Sequence, residues 1–157
     1  LLRHAKSSKD VPGISDADRP LNSYGKKQIQ AVGKALKKRK IAPQEIYSSP
    51  AKRALDTAKG VAQKVGFPVS RIKTVKGMYQ SSVPELLKVI QNMDDAIDEV
   101  MLVGHNPEFL NLANDLLPDG IEVFPTCGVL CIDFEVEAWR KAAKGKGRIG
   151  FFEILEK

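Results

Sequence analysis

Short apolar runs alternate with helix-start signals along most of this chain. The run Glu45–Ser48 leads into Ser49–Pro50, and the run Glu99–Val103 leads into Asn106–Pro107. A polar residue followed by proline is typical of the cap and first turn of a helix. Strands that alternate with helices favour a parallel sheet with helices packed against it. We therefore expect a three-layer α/β sandwich, with a mostly parallel central sheet and helices on both faces.

The spacing of apolar residues, together with flanking caps, predicts four helices and one additional short strand. The helices are predicted from Asn22 to near Lys40, from Ser49 to Gly66, from Ser82 to Met93 and from Asn106 to Leu117, and the strand at Ile72–Val75.

The pattern changes after Asp119–Gly120. Val129–Phe134 and Arg148–Ile154 both resemble strands, and the basic link between them holds no long helix. Consecutive strands without a helical crossover usually pair as an antiparallel hairpin. We therefore expect an antiparallel C-terminal strand to complete the sheet.

The length of the chain favours one domain. Its 157 residues can bury a sizeable core but are too few for two ordinary domains. Residues 1–157 are expected to form that domain, with a truncated N-terminal strand because the first residue is Leu1 rather than Met. No apolar run approaches the length of a bilayer span, which indicates a soluble protein with no membrane partner.

The charge balance gives a basic chain, with a net charge of +6 from 25 Lys and Arg against 19 Asp and Glu. The excess is concentrated in Lys34–Lys40 and Arg140–Arg148. No aromatic residues are interleaved with these charges, so nucleic acid is not the expected partner. A solvated basic surface is the simpler interpretation.

Two cysteines, Cys127 and Cys131, are too few for a disulfide framework and do not match a zinc spacing. Free thiols indicate a reducing compartment. We expect the cytoplasm, and the sequence leaves organellar targeting open.

The chain contains two histidines, and each follows an apolar strand-like run. His4 follows Leu1–Arg3, and His105 follows Val100–Gly104. Arg53 lies in the segment that follows a third such run, Glu45–Ser48. The carboxyl ends of parallel strands line one crevice, so we expect Arg3, His4, Arg53 and His105 to converge there. Guanidinium groups bind phosphate oxygens, and imidazole acts as nucleophile or proton carrier near neutral pH. The sequence therefore predicts a phosphoryl-handling pocket.

Three segments in this order, Leu1–His4, Ser48–Ala58 and Val103–Pro107, resemble the signature of the histidine phosphatase superfamily, whose fold is called phosphoglycerate mutase-like. Within that superfamily, Arg3–Ser8, Asp18–Asn22 and the short length are similar to SixA-type phosphohistidine phosphatases. The resemblance spans nearly the whole chain.

This resemblance implies a hydrolase in which His4 is the nucleophile and carries a phosphohistidine intermediate that water then hydrolyses. His105 is the second predicted catalytic residue, and Arg3, Arg53, His105 and Asn106 are predicted to bind the phosphoryl oxygens. Cations already in place at those oxygens lower the barrier without a metal or cofactor. His4 must be neutral at its attacking nitrogen while His105 donates a proton, so the two rings need different environments.

One departure from the superfamily bears on the substrate. Members that cleave phosphate esters carry a Glu or Asp general acid, but Val75–Gln80 offers no carboxylate at the matching stretch, and Glu85 and Asp10 are the nearest candidates. An alkoxide leaves poorly without a proton, whereas imidazole, whose conjugate acid has a pKa of about 6.5, leaves readily. The expected substrate is phosphohistidine in a protein.

Two alternatives stay open. The chain could be a small-molecule phosphomonoesterase or mutase that uses Glu85 or Asp10 as its acid, or a phosphate-recognition module without turnover. The expected partner is accordingly a phosphorylated protein or a small phosphorylated substrate.

Overall fold

The middle layer of the fold is a six-stranded sheet, within a computed structural model that describes residues 1–155. Its strands, in the spatial order β3-β2-β4-β1-β5-β6, are β1 Leu2–Arg3, β2 Glu45–Ser48, β3 Lys73–Thr74, β4 Val100–Gly104, β5 Val129–Phe134 and β6 Gly147–Glu153. The pairs β1–β4, β2–β4 and β2–β3 are parallel, and β5 is antiparallel to both β1 and β6. The predicted sheet, mostly parallel with an antiparallel C-terminal part, is confirmed.

Four α-helices cover this sheet: α1 Ser23–Lys38, α2 Lys52–Val65, α3 Val83–Gln91 and α4 Glu108–Leu116. The Asn22 side chain caps α1 by accepting the Gly25 N–H at 2.8 Å, and the Ser82 hydroxyl accepts the Glu85 N–H at 3.3 Å in α3. Gly66 ends α2 in the left-handed conformation, with φ of 80°. Polar caps and a terminal glycine are the local reasons why these helices have these limits.

Two helix starts differ from the prediction. Helix α2 begins at Lys52, and Ser49 instead accepts the Ala51 N–H at 3.2 Å in the turn before the helix. Helix α4 begins at Glu108, after Asn106 and Pro107 rather than with them. Ser49 and Asn106 bond to residues outside these helices: Ser49 to Val103 and His105, and Asn106 to the Phe124 carbonyl.

Strand β4 shows how the two outer layers share one sheet. Met101 and Val103 pack into the core beneath α1 and α2, whereas Leu102 packs into the core beneath α3 and α4. Side chains alternate between the faces of a strand, so a continuous apolar run serves both cores. Helices therefore cover both faces, as predicted.

The strand order places β2, β4 and β1 side by side with the same direction. Arg3 pairs with Gly104 across β1 and β4, and the His4 N–H donates to the Gly104 carbonyl at 3.0 Å. The Ser49 N–H donates to the Val103 carbonyl at 3.0 Å. The residues that follow these three strands therefore meet at one edge of the sheet.

Within residues 1–155, no helix combines the length and the apolar character needed to cross a membrane.

Candidate active site

The two imidazole rings face one another at the carboxyl ends of β1 and β4. The ring centroids of His4 and His105 are 5.2 Å apart, and the planes are tilted by 54°. Both residues are buried, with 8% and 6% of their surface exposed. The two rings are therefore close enough to contact the same tetrahedral oxyanion.

The ring of His4 is held in one tautomer by its neighbour. His4 Nδ1 lies 2.7 Å from the carbonyl oxygen of Ala5. A carbonyl only accepts hydrogen bonds, so Nδ1 carries the proton and Nε2 keeps its lone pair. Burial, followed by His105 and then by the positive groups of Arg53 and Arg3, lowers the pKa of His4 to about 3, although the bond to Ala5 opposes this. His4 is therefore a neutral base with one free nitrogen.

His105 has a different partner. Its Nε2 lies 2.7 Å from the hydroxyl oxygen of Ser49. Burial and the nearby Arg53 lower the pKa of His105 to about 4, with the carboxylate of Asp16 acting in the opposite direction. When the Ser49 hydroxyl donates to Nε2, the proton of the neutral ring lies on Nδ1. That Nδ1–H is then a donor for a bound anion.

Two arginines accompany the histidines. Arg3 Nη1 donates to the Phe124 carbonyl at 2.8 Å. Arg53, with 8% of its side chain exposed, donates from Nη1 to the backbone carbonyl of Asp16 at 2.7 Å and from Nη2 to its carboxylate at 3.1 Å. These bonds fix both guanidinium groups in place. The structure thus brings together all four residues expected to converge.

Three buried nitrogens of this set have no hydrogen-bond partner among residues 1–155: Arg3 Nε, Arg53 Nε and His105 Nδ1. Buried polar atoms in native proteins are nearly always paired, and an unpaired one costs about 1–3 kcal/mol. A phosphoryl group has three oxygens that accept such donors. The unpaired nitrogens are the strongest local sign of an oxyanion site.

Asn106 also lies at this edge. Its amide Nδ2 donates to the Phe124 carbonyl at 2.9 Å, and its Oδ1 accepts the Leu110 N–H at 3.2 Å in α4. The described bonds therefore attach the loop after β4 to the Phe124 carbonyl that also holds Arg3. A phosphate-binding role for Asn106 stays a prediction.

Sequence reasoning missed one carboxylate, Asp16, which contacts Arg53 and Tyr79; we call these three residues the mouth of the site. Asp16 Oδ2 accepts the Tyr79 hydroxyl at 2.5 Å as well as Arg53 Nη2, and Oδ1 accepts Arg19 Nη1 at 2.9 Å. The hydrogen bond from Tyr79, with those from Arg53 and Arg19, lowers the pKa of Asp16 to about 2. The Tyr79 ring stands edge-on to His105, with 5.5 Å between the centroids. Asp16 is 48% exposed and is an anion at neutral pH.

The residues at the two ends of the segment that carries Asp16 are hydrogen-bonded to each other. A bridge pairs Ser7 with Leu21, and the Ser8 N–H donates to the Pro20 carbonyl at 2.9 Å. We call residues 9–19 the rim loop. It contains one short 3-10 turn, Asp16–Asp18, and no apolar periodicity, so no sequence pattern marks Asp16.

The two carboxylates suggested by the sequence lie elsewhere. Glu85 is exposed, and its Oε1 accepts the Ser82 hydroxyl at 3.3 Å at the start of α3. Asp10 is an exposed residue near the start of the rim loop. Of the three carboxylates, Asp16 is the one bonded to a predicted phosphate-binding residue.

Comparison with known sequences is consistent with this site. The family model of the histidine phosphatase superfamily (branch 1) matches residues 1–79, which include Arg3, His4 and Arg53. An uncharacterized chloroplastic protein of Arabidopsis thaliana is 29% identical over 150 residues, covering 90% of this chain and 68% of the plant protein.

Solved structures share the whole fold. A SixA protein of Agrobacterium tumefaciens, a candidate phosphohistidine phosphatase, has a TM-score of 0.81 at 27% identity, covering 99% of this chain and 96% of its own. A protein histidine phosphatase SixA in complex with tungstate has a TM-score of 0.82 at 21% identity, covering 96% and 92%; at that identity the likeness concerns the fold alone. The predicted similarity to SixA-type proteins is confirmed.

Proposed function

The chain belongs to the histidine phosphatase superfamily, and from that membership we propose that it removes phosphoryl groups from phosphohistidine in proteins, with His4 as nucleophile. The pairing of His4 and His105 across 5.2 Å between ring centroids, beside three unpaired buried nitrogens, is the observation that carries this proposal.

The first step is transfer of the phosphoryl group to the enzyme. His4 Nε2 attacks phosphorus because the bond from Nδ1–H to the Ala5 carbonyl leaves Nε2 with the free lone pair. The bond from phosphorus to the leaving group breaks as the new P–N bond forms. Arg3, Arg53 and His105 stabilise the negative charge on the oxygens of the transferring phosphoryl group. Metal ions have this role in other phosphoryl-transfer enzymes.

The second step regenerates the enzyme. Water attacks phosphorus, the P–N bond to His4 breaks, and the proton lost by water ends on the phosphate product. His4 departs as a neutral imidazole because Nδ1 has kept its proton on the Ala5 carbonyl throughout. No base stronger than imidazole is needed for either step.

The carboxylates near the site support the choice of phosphohistidine as the substrate class. Asp16 stays ionised down to a pH of about 2 and is a poor proton donor at neutral pH, while Glu85 bonds to Ser82 at the start of α3. An alkyl ester needs a donor for its alkoxide, whereas a protonated phosphoimidazole releases neutral imidazole. This favours phosphohistidine over alkyl phosphates.

Chemical trapping tests the proposal. Wild-type protein, His4→Ala and the exposed control Lys9→Ala would be incubated with a radiolabelled phosphohistidine peptide and quenched in alkali, where phosphohistidine survives. We expect labelled wild type and Lys9→Ala, no label on His4→Ala, and a loss of turnover in that variant of at least about 1,000-fold.

Near-native turnover by His4→Ala would overturn the assignment of the nucleophile. Tight phosphate binding without any labelled enzyme would favour a recognition module instead. Alkyl phosphate turnover as fast as that of phosphohistidine would favour the small-molecule phosphomonoesterase.

A further inference from the structure

A phosphorylated imidazole leaves easily only in one protonation state. With phosphorus on one ring nitrogen, the other nitrogen can carry a proton or a lone pair. When it carries the proton, breaking the P–N bond releases neutral imidazole; when it does not, the product is the far more basic imidazolate. A group that holds a proton on that distal nitrogen therefore promotes departure.

The enzyme already does this for its own histidine. The Ala5 carbonyl accepts the Nδ1–H of His4 at 2.7 Å, which keeps a proton on the nitrogen distal to the attacking Nε2. Phosphohistidine in a substrate needs an equivalent acceptor outside the pocket, on the side from which the leaving ring departs.

Asp16 is a solvent-exposed carboxylate bonded directly to the oxyanion site. Its carboxylate is bonded to Nη2 of Arg53, whose Nε is one of the unpaired donors at the oxyanion site. Arg53 is 8% exposed and Asp16 is 48% exposed, so the carboxylate lies toward solvent from the guanidinium. Tyr79 bonds to Asp16 and presents its ring to His105, which fixes the carboxylate at the mouth.

We propose that Asp16 binds the distal N–H of the substrate phosphohistidine and keeps it protonated while the P–N bond breaks. This rests on the proposed function. His4 Nε2 gains the bond to phosphorus, the leaving nitrogen takes the electron pair of the broken bond, and the distal proton stays where it was. Asp16 gives up no proton, which suits a carboxylate that remains ionised.

The charges around Asp16 agree with this role. Arg53, Arg19 and the Tyr79 hydroxyl all donate to it, so the carboxylate stays an anion and its position is fixed. Because Arg53 and Arg19 offset the charge of this carboxylate, its contribution to the leaving ring is that of a hydrogen-bond acceptor held in a fixed position. Asp16 is thus a specificity residue for a leaving ring that carries a distal N–H.

The test compares two leaving groups in Asp16→Asn, which keeps the shape and removes the charge. Phosphorylation of His4 would be followed in single turnovers with a phosphohistidine peptide and with nitrophenyl phosphate, whose phenolate needs no distal proton. We expect the phosphohistidine rate to fall about 10- to 100-fold more than the nitrophenyl phosphate rate, as for loss of a hydrogen bond to a charged group.

Asp18→Asn is the matched control because it lies in the same 3-10 turn and bonds to Ser15. It is expected to leave the ratio of the two rates at the wild-type value. Vanadate affinity, measured for both variants, reports whether the oxyanion site is still assembled.

Equal slowing of both substrates by Asp16→Asn would overturn the proposal and leave Asp16 only as a support for Arg53. Faster turnover of both would also overturn it, since Asp16 would then compete with substrate for Arg53. A wild-type chain that phosphorylates His4 from neither substrate would instead overturn the proposed function, and this proposal with it.

Discussion

Thr57 connects helix α2 to the loop after β1 through Ala5. The Thr57 hydroxyl oxygen accepts the Ala5 N–H at 3.0 Å and donates to the Arg53 carbonyl at 2.7 Å. Ala5 in turn accepts the Nδ1–H of His4. The helix that carries Arg53 therefore also sets the position of the carbonyl that orients the His4 ring.

Thr57→Val is expected to slow phosphorylation of His4 and to lower the free energy of unfolding. Valine keeps the shape but leaves the buried Ala5 N–H without an acceptor, which costs about 1–3 kcal/mol. Thr57→Ser restores the oxygen and should recover most of the rate. Single-turnover kinetics and urea unfolding measure both effects; a Val variant as fast as the Ser variant would contradict the positioning role.

Acid is expected to destabilise the folded protein through its two histidines. Their folded pKa values, about 3 for His4 and about 4 for His105, lie below the value of about 6.5 in an unfolded chain. The unfolded state therefore binds protons first as the pH falls below 6.5, and stability is lost between there and the folded pKa values.

At pH 5 each histidine should lower the free energy of unfolding by about 2 kcal/mol relative to pH 7. Urea unfolding at the two pH values measures the sum, and His105→Gln, which does not titrate, should show about half the loss. An unfolding free energy that does not change between pH 7 and pH 5 would contradict the assignment of neutral, buried rings.

Arg53→Lys is expected to weaken binding of phosphate or vanadate about 10- to 100-fold. Lysine keeps the charge but loses Nε, one of the unpaired donors, and hydrogen bonds to charged groups are worth about 1.5–3 kcal/mol. Calorimetric titration measures the affinity. Arg39→Lys is the matched control because Arg39 bonds to Glu153 on an exposed surface; an equal loss in both variants would point to a general charge effect.

Gly104→Ala is expected to lower the free energy of unfolding by about 1–3 kcal/mol and to reduce activity. A Cβ at this position would lie 2.7 Å from two carbons of the fully buried Phe109 ring. Overpacking of a well-packed core typically destabilises the folded state by about this amount. His105 follows directly, so its ring would be displaced. Gly77→Ala, where the nearest atom is 3.8 Å away, is the control for stability.

The elements that the sequence predicted best are those with a local physical signal. Asn22 and Ser82 cap the helices expected of them, and the antiparallel pair at the C-terminus follows from a link without a helix. The meeting of His4 and His105 was predictable because strand ends in a parallel sheet share one edge. These features depend on short-range chemistry or on topology.

The mouth of the site was not predictable in this way. Asp16 contacts Arg53 and Tyr79, which lie 37 and 63 positions further along the chain, and neither pairing leaves a periodic trace. Ser49 was expected to cap a helix because serine before proline usually does, but its hydroxyl serves the Ala51 N–H and His105. Contacts between irregular segments follow from tertiary packing, which local patterns do not encode.

The closed base of the rim loop has an evolutionary consequence. Because the Ser7–Leu21 bridge and the bond from Ser8 to Pro20 hold both ends, insertions or exchanges within residues 9–19 need not disturb the sheet edge that carries the two histidines. Arg53 is the exception, because both of its described hydrogen bonds end on Asp16 within this loop. If Asp16 selects the leaving group as proposed, a lineage can acquire a new phosphorylated target by remodelling these eleven residues, as long as the two bonds that hold Arg53 are kept.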